Sequence, residues 1–261
     1  MKIFVITHKK FDSIISGEIY VPLLVGADFH TGERNYLQDN SIIPNISYKN
    51  KSFCELTGAY WIMHAVTEDI VGICHYRRYF CGTKRFFRQH FILNEKNIRR
   101  ILSAYDIILP SKGHYEYNDK TAKAFFAEKH DVVIWEQCKQ IISCESPEFL
   151  PDFEWFEKET TGYCYNMLIS QKDIFDAYHC WLFSILFLLE KKADLSQHND
   201  YNSRMYGFLS ERLLNIWVHH HHLRIKEMPV YNTESSRLVV KLKRKLTFIN
   251  FLIKNVIEVF R

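Results

Sequence analysis

The stretch that most narrows the possible folds is Ile70-Val71-Gly72-Ile73-Cys74, which is apolar without alternation and then breaks into His75-Tyr76-Arg77-Arg78. Successive apolar residues mark a strand covered on both faces, as in the sheets of α/β proteins. Ligands of open α/β sheets bind at the carboxyl ends of strands, so this polar cluster falls where a ligand is expected. Extended geometry predicts His75 and Arg77 on one face, with Tyr76 and Arg78 on the other. Adjacent guanidiniums offer planar, bidentate donors suited to a phosphate or diphosphate. The competing reading is that Arg77 and Arg78 form surface ion pairs while the tyrosines cap the core.

The rest of the chain reads as strands alternating with helices. Lys2 to Thr7 is a buried strand rather than a leader, and it ends in the polar turn Thr7-His8-Lys9-Lys10. That turn is placed to meet a nucleotide, although no G-x-G-x-x-G follows it. Residues 19–25 read as a short extended piece that Pro22 confines to an edge. Residues 26–51 are polar and turn-rich, carrying Asp28, Asp39, Asn40, Asn45 and Asn50, and a loop that long reads as functional. Ser52 is expected to cap a helix reaching Val66, with Glu55 completing a capping box.

Further along, the pattern predicts a solvated basic loop at 84–88 and a helix over 94–104 capped by Asn94. A strand follows at 105–110, then a polar and aromatic connection at 111–126 that reads as a lid. Next come a helix over 128–142, a break at Ser146-Pro147 and a strand over 163–170 with Asn166 in its middle. The apolar helix over 173–190 is interrupted by Asp176 and His179 and falls short of a membrane span.

Residues 198–218 form the second informative stretch. Asn199 or Asp200 caps a helix on which Arg204, Gly207 and Glu211 share one face. A basic residue, a gap left by glycine and a carboxylate on one stripe suit a pocket wall with a general base. A structural pairing of Glu211 with an arginine is the alternative. The run His219 to His222 reads as a solvated turn rather than a metal site.

Composition limits the partners. Seven cysteines, an odd number without a C-x-x-C pair, give neither a disulfide framework nor a zinc ribbon, and point to reduced thiols in the cytoplasm. Residues 237–261 carry seven basic side chains against Glu258, a balance of +6; the overall +4 leaves −2 for the rest. A near-neutral body argues against nucleic acid. The tail repeats Leu238, Leu242, Leu246, Ile249, Ile253, Val256 and Phe260 among lysines and arginines. It reads as a basic amphipathic helix for an anionic membrane surface, or one that packs on the domain or on a partner.

Several segments carry a resemblance. Asn45-Ile46-Ser47, Phe53-Cys54-Glu55-Leu56-Thr57-Gly58-Ala59-Tyr60-Trp61 and Gly72 through Phe80 are similar to a bacterial capsular and exopolysaccharide family long described only as a domain of unknown function. So are Tyr105-Asp106-Ile107-Ile108, Tyr165-Asn166-Met167 and Gly207-Phe208-Leu209-Ser210-Glu211-Arg212-Leu213. The resemblance covers residues 1–233, taken as one domain, with 234–261 as the separate tail. It departs at Thr121-Ala122-Lys123-Ala124-Phe125-Phe126, where the family tends to be rich in Tyr and His.

The resemblance implies a GT-A-like, Rossmann-like mixed sheet flanked by helices, and a glycosyltransferase of surface polysaccharide synthesis. Some members of the family are galactofuranosyltransferases using UDP-galactofuranose. The expected partners are therefore a nucleotide-sugar donor and a lipid-linked oligosaccharide acceptor at the inner face of the plasma membrane. UDP-galactose, UDP-glucose or a non-catalytic scaffold are the alternatives. Many GT-A enzymes end the strand equivalent to 70–75 in a metal-holding D-x-D. Here it ends in His75-Tyr76-Arg77-Arg78, so no metal or other cofactor is expected. The implied donor-binding set is Thr7, His8, Lys9, His75, Tyr76, Arg77 and Arg78. Glu211 is the first choice of base, Asp200 the second and Glu55 the third, and Glu55, Asn166, Arg204 and Gly207 line the acceptor pocket.

Overall fold

The computed structural model describes residues 1–15, 18–84, 89–114, 120–193 and 201–234. Asp200, residues 85–88 of the basic loop, Tyr115 and Tyr117 of the lid, and the amphipathic tail beyond Glu234 lie outside the described residues.

The apolar runs form the middle of a mixed sheet. Strands β1 (Lys2–Thr7), β2 (Tyr20–Leu24), β3 (Leu37–Gln38) and β4 (Ile70–His75) are mutually parallel, in the order β4-β1-β2-β3. Pro22 pairs with Val5 on one side, while β3 meets β2 only at Leu23 and Leu24, so the proline occupies a locally open edge. Beyond β4 the strands are β5 (Arg78–Lys84), β6 (Gln89–Ile92), β7 (Ile107–Pro110), the short β8 (Gly113–His114) and β9 (Thr161–Gly162), then β10 (Leu168–Gln171), β11 (Ile225–Met228) and β12 (Val230–Asn232). Strand β10 runs antiparallel between β4 and β7, and β11 closes that side parallel to β7.

Both sheet faces are covered, as the unalternating runs require. Phe4, Ile6, Val71 and Ile73 pack into one core; Ile3, Val5, Ile70 and Cys74 pack into the other. The helices are α1 (Asn50–Phe53), α2 (Leu56–Ala65), α3 (Glu95–Leu102), α4 (Ala122–Lys129), α5 (Val132–Glu145), α6 (Leu150–Phe156), α7 (Lys172–Lys192) and α8 (Met205–His220). The first core is built with α2 and α5 through α8, the second with Ile98 of α3. Gly58 lets α2 lie directly on the sheet: a Cβ there would come within 2.8 Å of Ile6 and Val25 side chains. No described helix is long and apolar enough to cross a membrane.

Four expectations are corrected. Ser52 does not cap a helix with Glu55. Its Oγ donates to the Lys49 carbonyl, the chain turns at Cys54 with φ +50°, and Glu55 enters α2 without a side-chain cap. The 163–170 strand is interrupted: Tyr165 sits at φ +72°, Asn166 precedes β10, and only 168–171 are extended. The polar connection at 111–126 contains the start of α4, capped by Thr121. Only half of the histidine run is a solvated turn: His221 and His222 form an exposed turn, whereas His219 and His220 end α8 with their Nδ1 atoms bonded to Asp152 of α6. Asn94 does cap α3, in a reciprocal box with Asn97.

Candidate active site

The parallel register places β1, β2 and β4 with their carboxyl ends together. Ile6 pairs with His75, the Tyr76 N–H donates to the Ile6 carbonyl at 3.1 Å, and the Val25 N–H donates to the Thr7 carbonyl at 2.9 Å. Over these ends opens a cleft of about 490 Å³. Of the residues expected to form the site, Thr7, His8, Glu55, His75, Tyr76, Arg77, Arg78, Arg204 and Glu211 all line it.

Its floor is a tight hairpin rather than a continuing strand. Tyr76 and Arg77 form the turn between β4 and β5, and His75 and Arg78 pair directly across it. Directly opposed residues share a face, which corrects the expected alternation along 75–78. Each side chain leaves a polar nitrogen unused: His75 Nε2 and Arg78 Nε are buried without a hydrogen-bond partner. Burial holds the His75 imidazole below its ordinary pKa; Glu55 opposes this and Arg78 and Arg77 reinforce it, which favours the neutral ring. The Arg78 guanidinium lies over the Tyr165 ring, 4.5 Å from its centroid. Arg77 is more peripheral. It is 38% exposed, pairs with Glu234 at 2.9 Å and lies over the Tyr76 ring.

Buried polar atoms are normally paired, because an unpaired donor forfeits about 1–3 kcal/mol of solvation. Two such atoms side by side at a strand end, one on a cation, describe a place for an anion.

The remaining expected donor residues divide. The Thr7 hydroxyl is spent on the 7–9 turn, donating to the Lys9 carbonyl at 2.6 Å and accepting from the Lys9 N–H. Lys9 does not line the cleft, and its ammonium lies 5.5 Å from the Tyr76 centroid. Burial and Lys9 lower the pKa of His8.

The loop expected to be functional builds a wall through His30, Asn50 and Lys51, next to Val25 at its entrance. Its organiser is the fully buried Asp39, which accepts from the Gly26 and Ala27 N–H groups and from the Ser47 and Thr57 hydroxyls.

The opposite wall comes from α8. Arg204 precedes its first turn, with Nε 3.4 Å from Cys54 Sγ, and Glu211 follows two turns on. Glu211 Oε2 accepts from Arg212 at 2.9 Å. Burial pushes its carboxyl pKa up; Arg212 opposes this and Glu55 reinforces it. Glu55 is held by Asn166, whose Nδ2 donates to it at 2.6 Å and to the Gly207 carbonyl at 3.0 Å. Asn166 and Gly207 therefore stand behind the wall and do not line the cleft. Gly207 leaves room for Cys54, whose Sγ would be 3.3 Å from an added Cβ.

Sequence reasoning missed Tyr165, Cys54, His30 and Ser203, which also line the cleft. Tyr165 and Cys54 owe their places to left-handed backbone at non-glycine residues, a conformation that strains the chain and clusters at functional sites. No local sequence signal marks either position.

This architecture has a named relative. The chain belongs to the family described as a domain of unknown function, DUF4422, which it matches over residues 2–222. A solved structure described as the apo form of the WbbM bifunctional glycosyltransferase superimposes with a TM-score of 0.79 at 29% identity. That match covers 88% of this chain and 44% of the other, so the chain spans less than half of that protein. Among curated proteins none matches.

Proposed function

We propose that the chain is a glycosyltransferase of polysaccharide synthesis. It moves a hexosyl group, galactofuranose from UDP-galactofuranose as the first choice, from a nucleotide diphosphate to a sugar acceptor with inversion. The observation that carries this is the pair of orphaned buried nitrogens, His75 Nε2 and Arg78 Nε, in the cleft at the strand ends. The likeness to a glycosyltransferase supports the reaction class.

In this reading the diphosphate rests against Arg78, with His75 donating a neutral N–H and Arg77 closing over it from the hairpin turn. These fixed groups meet the charge that develops as the anomeric carbon–oxygen bond breaks and the nucleotide leaves. His75-Tyr76-Arg77-Arg78 takes the position where a D-x-D would recruit a metal. The acceptor hydroxyl oxygen attacks the anomeric carbon from the opposite side, and its proton passes to Glu211. A raised carboxyl pKa makes Glu211 a stronger base, and Arg212 fixes its direction. Glu55, steadied by Asn166, is placed to orient the acceptor. Asp200 remains the second choice of base. A lipid-linked acceptor at the inner membrane face, reached through the basic tail, completes the proposal.

The test is product analysis with UDP-galactofuranose, UDP-galactose and UDP-glucose, on wild type and Glu211→Gln. Transfer or slow donor hydrolysis by wild type alone supports the reading; no turnover of any donor favours a nucleotide-sugar-binding scaffold.

A further inference from the structure

Beyond Arg204 the α8 wall continues into a stack of three rings that the reaction above does not use. His130, at the end of α4, lies nearly parallel to Tyr201, with centroids 5.7 Å apart and 14° between planes. It stacks on Phe208 at 4.4 Å, and Tyr201 meets Phe208 at 4.9 Å. His130 Nδ1 is bonded to Asn202 Oδ1 at 2.9 Å, which fixes the ring.

The stack is not closed core. Phe208 is half-buried, and Tyr201 is 54% exposed although it is built into the stack. It is also continuous with the cleft. Ser203 and Arg204 line the cleft two and three residues after Tyr201, and the Arg204 guanidinium lies 5.4 Å from the Phe208 centroid. Aromatic faces take the apolar C–H face of a sugar ring, while charged neighbours take its hydroxyls.

We propose that Tyr201, stiffened by His130 and Phe208, is a platform for a sugar ring of the acceptor, with Arg204 holding that sugar's hydroxyls at the cleft edge. This rests on the glycosyltransferase reading and adds where the acceptor lies. A rigid ring loses little conformational freedom on contact, so the stack behind Tyr201 favours binding.

The experiment is saturation-transfer NMR with methyl glycosides of galactose, glucose and mannose, and the matching octyl glycosides. The proteins are wild type, Tyr201→Ala, Tyr201→Trp and Tyr48→Ala, the last altering a 59% exposed tyrosine that does not line the cleft. Ring C–H saturation should fall about three- to tenfold in Tyr201→Ala and persist in Tyr201→Trp and Tyr48→Ala. Three results overturn the platform: no saturation in wild type, equal saturation in Tyr201→Ala, or transfer to the octyl chain instead of the ring. Calorimetry with UDP runs in parallel. UDP failing to bind wild type sinks the underlying reading, whereas UDP binding with no Tyr201 dependence sinks the platform alone.

Discussion

Helix α8 carries a polar cluster near each end, and the two are built on opposite principles. Around Arg204 and Glu211 the helix faces a cleft in which buried nitrogens of His75 and Arg78 find no partner. At the other end His219 and His220 both bond Asp152, His220 at 2.9 Å. Their rings stack on Trp155 and Phe149 with centroids 3.7 and 3.9 Å apart. Both ends are rich in titratable groups. The C-terminal cluster satisfies its ionisable groups internally and ties α6 to α8, so it stabilises the fold. The N-terminal cluster leaves donors to be satisfied from outside, and that deficit marks a binding site. Density of histidines and charges does not separate the two; hydrogen-bond accounting does.

The largest effect that would break this contrast is on turnover. Glu211→Gln removes the proposed base and should lower it by about 10²–10⁴-fold while leaving UDP affinity unchanged, as steady-state kinetics and calorimetry would show. Next, Arg78→Ala should weaken UDP about ten- to a hundredfold, because a charge-assisted contact in a desolvated site is lost. Arg77→Ala, which breaks an exposed ion pair, should weaken it only about two- to fivefold. Equal effects of the two arginines would erase the distinction between floor and rim.

At the far end the expected loss is in stability. Asp152→Ala leaves two imidazoles unpaired and should destabilise the fold by about 1–3 kcal/mol, with UDP affinity intact. Thermal unfolding measures the first and calorimetry the second. A variant that keeps its stability but loses UDP would reverse the roles of the two ends.

The smallest effects are in pH. Glu211 titrates above the ordinary 4.5 because it is buried, so turnover should climb with pH through that raised value. Its contribution to stability is complete below the unfolded carboxyl pKa and is lost as pH rises through the folded one. The melting temperature of Glu211→Gln relative to wild type should therefore rise with pH. Burial pushes the Asp152 pKa up, but hydrogen bonds from His219 and His220 outweigh it and hold the pKa low. Its contribution is present above the unfolded pKa and fades as pH falls through the lowered one, so the Asp152→Ala deficit should shrink in acid.

Much of the site was legible because it depends on short-range rules. Apolar runs fixed β1 and β4, strand ends placed Thr7 and His75, and helical spacing put Arg204 and Glu211 on one wall. The unread parts depend on contacts distant in sequence. Asp152 meets His219 across 67 positions, and Asn166 meets Glu55 across 111. The turn at Tyr76-Arg77 was hidden because a hairpin without Gly or Asn looks like a continuing strand. Tyr165 and Cys54 adopt left-handed backbone that only the surrounding packing enforces.

The central claim is that cations fixed in the protein hold the leaving diphosphate. Calorimetric titration of UDP in excess EDTA, on wild type and Arg78→Ala, tests it most directly. Binding by wild type in chelator, weakened at least tenfold by the substitution, is the predicted result. Binding that requires added divalent metal, or that is equally tight without the Arg78 guanidinium, would contradict it.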